Sequence, residues 1–304
     1  MATRWRSWLE AALGGGTEVV AVRRLHGGIT SVVHAVDVQD RSGTRRRLVV
    51  RRYPPEGAIQ WEPDLVDREV AALRHLEWAE VPDVPRVVAV DADGDAAGCP
   101  TVVSTRLVGR PILGPPDRAG WPEGLAGAAL RNLAALRAVD PSGLGPNPLW
   151  RGAHDVGVPS PPWIRDPETW RQAIAPVVDG APPTGSPLQA IHRDFNPGNV
   201  LWHRGRVTGV VDWVHLCHGP VEEDLARCRI NVWLLAGRDA ADRFLSVVEV
   251  AGVPYDRIWD VHVVADMAPA FDDMAPAATR IGGVVTQAEV RARVEEILAA
   301  GPSG

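Results

Sequence analysis

Apolar residues recur at helical spacing from Trp5 to Leu13, and Gly14-Gly-Gly16 ends the run. The pattern then changes to short β-like runs. Val19 to Leu25 and Ser31 to Val38 flank Gly27-Gly28, the signature of a hairpin, and Leu48 to Tyr53 predicts a third strand broken by Pro54-Pro55. Asp64 to Trp78 returns to helical periodicity, with Leu65, Ala72, Leu73 and Leu76 on its apolar side. Val87 to Val90 and Thr101 to Leu107 bracket an Asp/Gly-rich turn and read as a second hairpin. Pro111 to Pro122 is rich in Pro and Gly and marks a connection. A helix is expected over Leu125 to Val139, then an irregular stretch to Pro187 with one short helix near Pro167 to Val178. Two short strands follow, Val200 to Trp202 and Val207 to Val211, and beyond Pro220 the pattern is mostly helical to Ala300.

A β-rich first third with one helix, followed by a mainly helical remainder, predicts an α+β protein of two lobes with a cleft between them. The length of 304 residues agrees, being more than one compact core usually holds. The lobes are expected over residues 1–107 and 108–304. A composition of 45% hydrophobic and 23% charged residues is that of an ordinary globular chain, and a net charge of −6 argues against a nucleic-acid binder. No apolar run is long enough to span a membrane, and the start of the chain lacks a signal-peptide core, so a cytoplasmic protein with no membrane partner is expected. Cys99, Cys217 and Cys228 have no paired spacing and predict no disulfide framework. The chain contains 12 tryptophans, and all 32 of its Lys/Arg residues are arginine, so any task usually given to lysine falls elsewhere.

The most informative stretch is Ile191-His-Arg-Asp-Phe-Asn-Pro-Gly-Asn-Val-Leu-Trp202, which matches the catalytic-loop pattern H-R-D-x-x-x-x-N. Phosphoryl transfer needs a carboxylate beside the attacking hydroxyl, which Asp194 supplies, and oxygen ligands for Mg2+ nearby, of which Asn199 is one. In Thr208-Gly-Val-Val-Asp-Trp213 an apolar strand ends in a second acid, Asp212, suited to a metal that bridges phosphates. Each motif recurs by chance in unrelated proteins, whereas the pair is far more specific. His215, Cys217 and His218 lie too close together in sequence to surround one ion and read as a loop beside Asp212.

His192 to Asn199 and Gly209 to Trp213 resemble the two signature segments of the aminoglycoside phosphotransferase and choline kinase-like family, relatives of the protein kinases. The resemblance runs from about Leu25 to about Arg229 and implies a two-lobed protein kinase-like fold. It implies a nucleotide-binding N-lobe and a C-lobe holding the catalytic loop, the metal site and the acceptor. It places Gly27, Gly28, Thr30 and Ser31 in the phosphate-covering loop and Glu69 as the ion-pair glutamate of a helix. Ser104 and Arg106 fall in the hinge that meets the base, and Asp224 takes a structural role, capping a helix or holding the catalytic loop. The strand lysine of kinases is missing, and the alignment puts Arg51 in its place. Arginine is permanently charged and binds phosphate in a fork. Whether Arg51 or Arg52 faces the nucleotide stays open, because strand neighbours point to opposite sides.

The expected activity is transfer of the γ-phosphoryl of ATP or GTP, with Mg2+, to a hydroxyl of a small molecule. An antibiotic is the first choice of acceptor, as in resistance enzymes, and an amino alcohol or sugar amine the second. A regulatory pseudokinase is the alternative of another class, and the joint presence of Asp194, Asn199 and Asp212 argues against it. Residues 222–280, which the resemblance implies form the acceptor side, carry 11 acids against 6 arginines, and this predicts an amine-bearing acceptor whose KM rises with salt. Asp272, Asp273 and Trp213 are the candidate acceptor contacts.

Overall fold

In the computed structural model, residues 4–25, 31–113, 120–140, 142, 160–178 and 188–301 are described. The chain divides into two units. The first holds the described residues of Met1–Val108, with Ser142 and Gly209–Leu216. The second holds those of Gly109–Pro141, Pro148–Thr208 and Cys217–Gly304.

The first unit is built on a five-stranded antiparallel sheet in the order β1-β2-β3-β5-β4. Its strands are β1 (Glu18–Leu25), β2 (Val32–Gln39), β3 (Arg45–Arg52), β4 (Val87–Asp91) and β5 (Thr101–Thr105). Helix α1 (Arg4–Leu13) buries Trp5 and Leu9 against Val36, Val38, Leu48, Val50 and Val103. Helix α2 (Leu65–Trp78) packs Leu65, Val66 and Val70 around Tyr53 and Val102. Strand β3 starts three residues before the apolar run because its first arginines, Arg45 to Arg47, are exposed and pair with Asp37, Val38 and Gln39 of β2, Arg45 Nε also donating to Gln39 Oε1 at 3.0 Å.

Gly209–Leu216 joins this unit through close backbone approach. The Val210 N–H donates to the Asp83 carbonyl at 3.0 Å, and a Cβ on Gly209 would lie 2.4 Å from Leu107 Cδ1. Val214 completes the cluster around Tyr53.

The second unit is mainly helical: α3 (Trp121–Leu136), α4 (Pro167–Val178), α5 (Val221–Ala236), α6 (Arg238–Val250), α7 (Ile258–Met267), α8 (Phe271–Arg280) and α9 (Gln287–Ala300). Trp170, Trp233, Trp259, Phe271, Val290 and Ile297 form its core. Helix α3 begins at Trp121, earlier than the apolar periodicity indicates, since Pro122 sits in the first turn, where its missing N–H costs nothing. Strands β6 (Arg110–Pro111), β8 (Val200–His203) and β9 (Arg206–Val210) form a small sheet. The segment read as a loop at Cys217 is instead a strand, β10 (Cys217–Pro220), antiparallel to β7 (Leu188–Ile191). Its alternation is hidden by Gly219 and Pro220. Among the described residues no helix is long and apolar enough to cross a membrane.

Candidate active site

In the second unit, β7 delivers the chain into His192–Asn199 and β8 takes it away. His192 and Phe195 are fully buried and meet edge to face, with centroids 6.0 Å apart. These two anchors turn the polar residues between and after them outward. Arg193 adopts a left-handed conformation (φ 64°), unusual for a side chain of this size and held by its surroundings. The restraint comes from Asp224 in the first turn of α5. Its carboxylate accepts the His192 N–H at 2.8 Å and the Arg193 N–H at 2.7 Å. Asp224 is fully buried, and burial pushes its carboxyl up to about 7, opposed by those two N–H donors.

Asp194 has one amide on each carboxylate oxygen. Asn196 Nδ2 donates to Oδ1 at 3.0 Å and Asn199 Nδ2 to Oδ2 at 2.9 Å. Both amides also reach the Asp194 carbonyl, and Asn196 Oδ1 accepts the Gly198 N–H at 2.8 Å. With its nitrogen engaged in this way, Asn199 keeps its amide oxygen for a further partner. The sequence reading missed Asn196, which lies at a variable position of the motif. Its signal is Asn-Pro-Gly, a turn in which the asparagine side chain bonds its own backbone two residues on.

The first unit assembles the other predicted residues. Arg51 Nη1 lies 2.7 Å from Asp212 Oδ1 and 3.5 Å from Glu69 Oε1. Burial alone would lower the Arg51 pKa, but Asp212 and Glu69 hold it well above the ordinary value. Glu69 is pushed up by burial, with Arg51 opposing. Tyr53, absent from the sequence-based set, donates its hydroxyl to Glu69 Oε2 at 2.6 Å. Asp212 is left-handed (φ 70°) and begins the short 3-10 turn Trp213–His215. Its carboxylate, about one third exposed, is a hard oxygen donor of the kind magnesium takes, as is the Asn199 amide oxygen.

The remaining candidates are placed as follows. Ser31 is buried, and its Oγ has no hydrogen-bond partner among the described residues. Gly27, Gly28 and Thr30 lie outside the described residues. Ser104 is buried in β5, and Arg106 pairs with Asp37 at 3.1 Å while its N–H donates to the Arg47 carbonyl. Trp213 is buried to 1% exposure and donates its indole N–H to the Val210 carbonyl. Asp272 is spent on Arg291 at 2.8 Å, and Asp273 is exposed on α8. Burial pushes the Cys217 thiol up to about 12, far from the thiolate that a metal would need.

The sequence profile of the phosphotransferase enzyme family (APH) matches residues 21–257. The chain belongs to this family. As a phosphotransferase it is a small-molecule kinase. Its fold is shared with solved phosphotransferases. A thermostable variant of aminoglycoside phosphotransferase APH(4)-Ia, in a ternary complex with ADP and hygromycin B, matches with a TM-score of 0.61 at 18% identity, over 97% of this chain and 98% of that chain. Macrolide 2'-phosphotransferase MphH from Brachybacterium faecium matches with a TM-score of 0.55 at 17% identity, over 92% of this chain and 99% of that chain. A comparison with curated proteins finds no match. The phosphotransferase therefore has the kinase-like α+β fold, a sheet-based N-terminal region followed by a helical C-terminal region.

Proposed function

We propose that this phosphotransferase moves the γ-phosphoryl of ATP or GTP to a hydroxyl of a small molecule of the antibiotic class, with Asp194 as the catalytic base. The observation that carries the reading is the clamp on Asp194. Two amides fix its carboxylate, one on each oxygen, and keep it aimed. In that role Asp194 orients the acceptor hydroxyl and takes its proton as the oxygen bonds to the γ-phosphorus. The bond to the β-phosphate oxygen breaks and the nucleoside diphosphate leaves.

The sheet-bearing first unit binds the nucleotide in this reading. Arg51 meets the α- or β-phosphate, Glu69 holds Arg51, and Ser31 with Gly27, Gly28 and Thr30 covers the phosphates. Ser104 and Arg106 lie along the base, and their contribution comes from the backbone, since the Arg106 side chain is engaged with Asp37. Asn199 and Asp212 would hold a magnesium ion, which supplies charge neutralisation at the phosphates when bound. ATP is supported by the ADP held in the APH(4)-Ia complex. The antibiotic class is supported by the hygromycin B in that complex and by the macrolide enzyme of the same fold.

A panel of aminoglycosides, macrolides, nucleoside antibiotics and amino alcohols, assayed with magnesium and ATP or GTP, identifies the acceptor. Asp194→Ala is expected to lower kcat by about 100-fold or more while nucleotide binding survives. Near-native turnover in that variant would sink the assignment of the base.

A further inference from the structure

We infer that Tyr53 is a positioning residue for nucleotide binding: its hydroxyl fixes the Glu69 carboxylate, and through it the Arg51 guanidinium. The inference rests on the reading in which Arg51 binds phosphate.

Tyr53 follows β3 directly and is two residues beyond Arg51, so strand alternation puts both on one face. Its N–H donates to the Pro100 carbonyl at 2.9 Å, which carries the β3–β5 pairing one step past Arg52 and Thr101 and keeps that alternation intact. The ring is 1% exposed. It is held by Leu65, Val66 and Val70 of α2, by Val102 of β5, and by Val214 just beyond Asp212. A ring so confined offers its hydroxyl in one place only, and Glu69 Oε2 is there at 2.6 Å, the short distance of a bond to a charged acceptor.

Glu69 needs such a partner. It is almost fully buried, and its nearest cation is shared. Arg51 Nη1 sits 2.7 Å from Asp212 but 3.5 Å from Glu69 Oε1, too far for a strong hydrogen bond. The pull between Glu69 and Arg51 is therefore coulombic, and by itself it does not fix the rotation of the carboxylate. Tyr53 fixes it. With the hydroxyl removed, Oε2 becomes a buried acceptor without a donor, and the carboxylate turns toward the guanidinium to recover one. That draws Arg51 away from Asp212 and from the orientation its planar fork needs to meet phosphate.

Binding of Mg-ATP is measured by calorimetry in the wild-type protein, Tyr53→Phe, Glu69→Gln and the double variant, with steady-state kinetics alongside. Tyr53→Phe is expected to weaken Mg-ATP binding and raise the nucleotide KM by about tenfold, the loss of one hydrogen bond to a charged group. The acceptor KM stays within about twofold, because nothing on the acceptor side depends on this hydroxyl. In the Glu69→Gln background the same change is expected to cost clearly less than in the wild type, the remainder measuring the direct approach of the Tyr53 hydroxyl to Arg51. An equal loss in both backgrounds overturns the inference. So does a lowered unfolding midpoint with nucleotide affinity intact, which would make Tyr53 a packing residue only. A wild-type protein that binds no magnesium nucleotide removes the functional reading itself, whereas a Tyr53→Phe variant that binds like wild type removes only this inference.

Discussion

At the scale of single residues, the loop proposed to be catalytic is governed by what each side chain does to Asp194. A carboxylate on a flexible turn samples several rotamers, and a base must hold one to meet a hydroxyl at hydrogen-bond distance. Asn199 restrains one oxygen and Asn196 the other. If Asn199 is also given to the metal, Asn196 becomes the restraint whose removal acts on the base alone. Asn196→Ala is therefore expected to lower kcat by about tenfold, with the nucleotide KM within about twofold, because misaligning a reacting group costs rate rather than binding. Steady-state kinetics decide it, and a rise in nucleotide KM with kcat unchanged would contradict the role. The identity of Asp194 and Asn199 could be read from the motif, because their chemistry fixes their spacing. Asn196 and Tyr53 could not, because each acts on another side chain and no spacing rule ties it to its partner. Which arginine meets Glu69 and Asp212 needed the register: it is Arg51, while the buried Arg52 Nε has no partner among the described residues.

At the scale of elements, Asp224 couples helix α5 to the catalytic loop. The acid lies in the first turn of α5, where the helix N-terminus favours negative charge, yet it spends both oxygens on the loop backbone. Burial nonetheless raises its carboxyl from 3.8 to about 7. The folded state then holds this proton to higher pH than the unfolded chain does. The stability that Asp224 contributes is highest below the unfolded pKa, falls as pH rises through the window from about 4 to 7, and levels off above it. At about 1.4 kcal/mol per pKa unit, the loss between pH 5 and 8 is on the order of 3 kcal/mol. Asp224→Asn has no such titration. Denaturant unfolding at the two pH values is expected to show a larger loss in the wild-type protein than in the variant, and equal slopes would acquit Asp224. Most elements of both units were legible from periodicity because they bury one face. The exceptions have local causes. Strand β10 is Cys-His-Gly-Pro, with no apolar alternation to read, and the start of α3 is masked by a proline that belongs to its first turn.

At the scale of the molecule, chain order and spatial grouping part company at Gly209–Leu216, which follows the catalytic loop in sequence but belongs to the sheet-based first unit. The contacts of Gly209, Val210, Asp212 and Val214 reveal this, and a composition shift cannot. Charge is redistributed in the same way. The acidic excess of residues 222–280 suggested an anionic wall that recruits an amine, but structure ties many of the individual acids to fixed partners. Glu223 and Asp266 pair with Arg227, Asp242 and Asp260 with Arg229, and Asp272 with Arg291, while Asp224 serves the loop backbone. Of the two acids put forward as acceptor contacts, Asp273 has no ion pair among the described residues, and it is exposed, where water and salt screen it. A net charge of −6 still favours encounter with cations, but through a diffuse field that acts on association rather than on the bound complex. The expected outcome is thus a weak salt response: for an amine-bearing acceptor, raising the salt from about 50 to 200 mM changes KM by less than about threefold. Asp273→Asn shifts it by less than about twofold, the measure of an exposed charge. Kinetics across the salt series with the best acceptor of the panel test both. A KM that climbs tenfold or more, and stops climbing in Asp273→Asn, would show that this acid faces the acceptor after all and that the surface ion pairs leave the acidic wall intact.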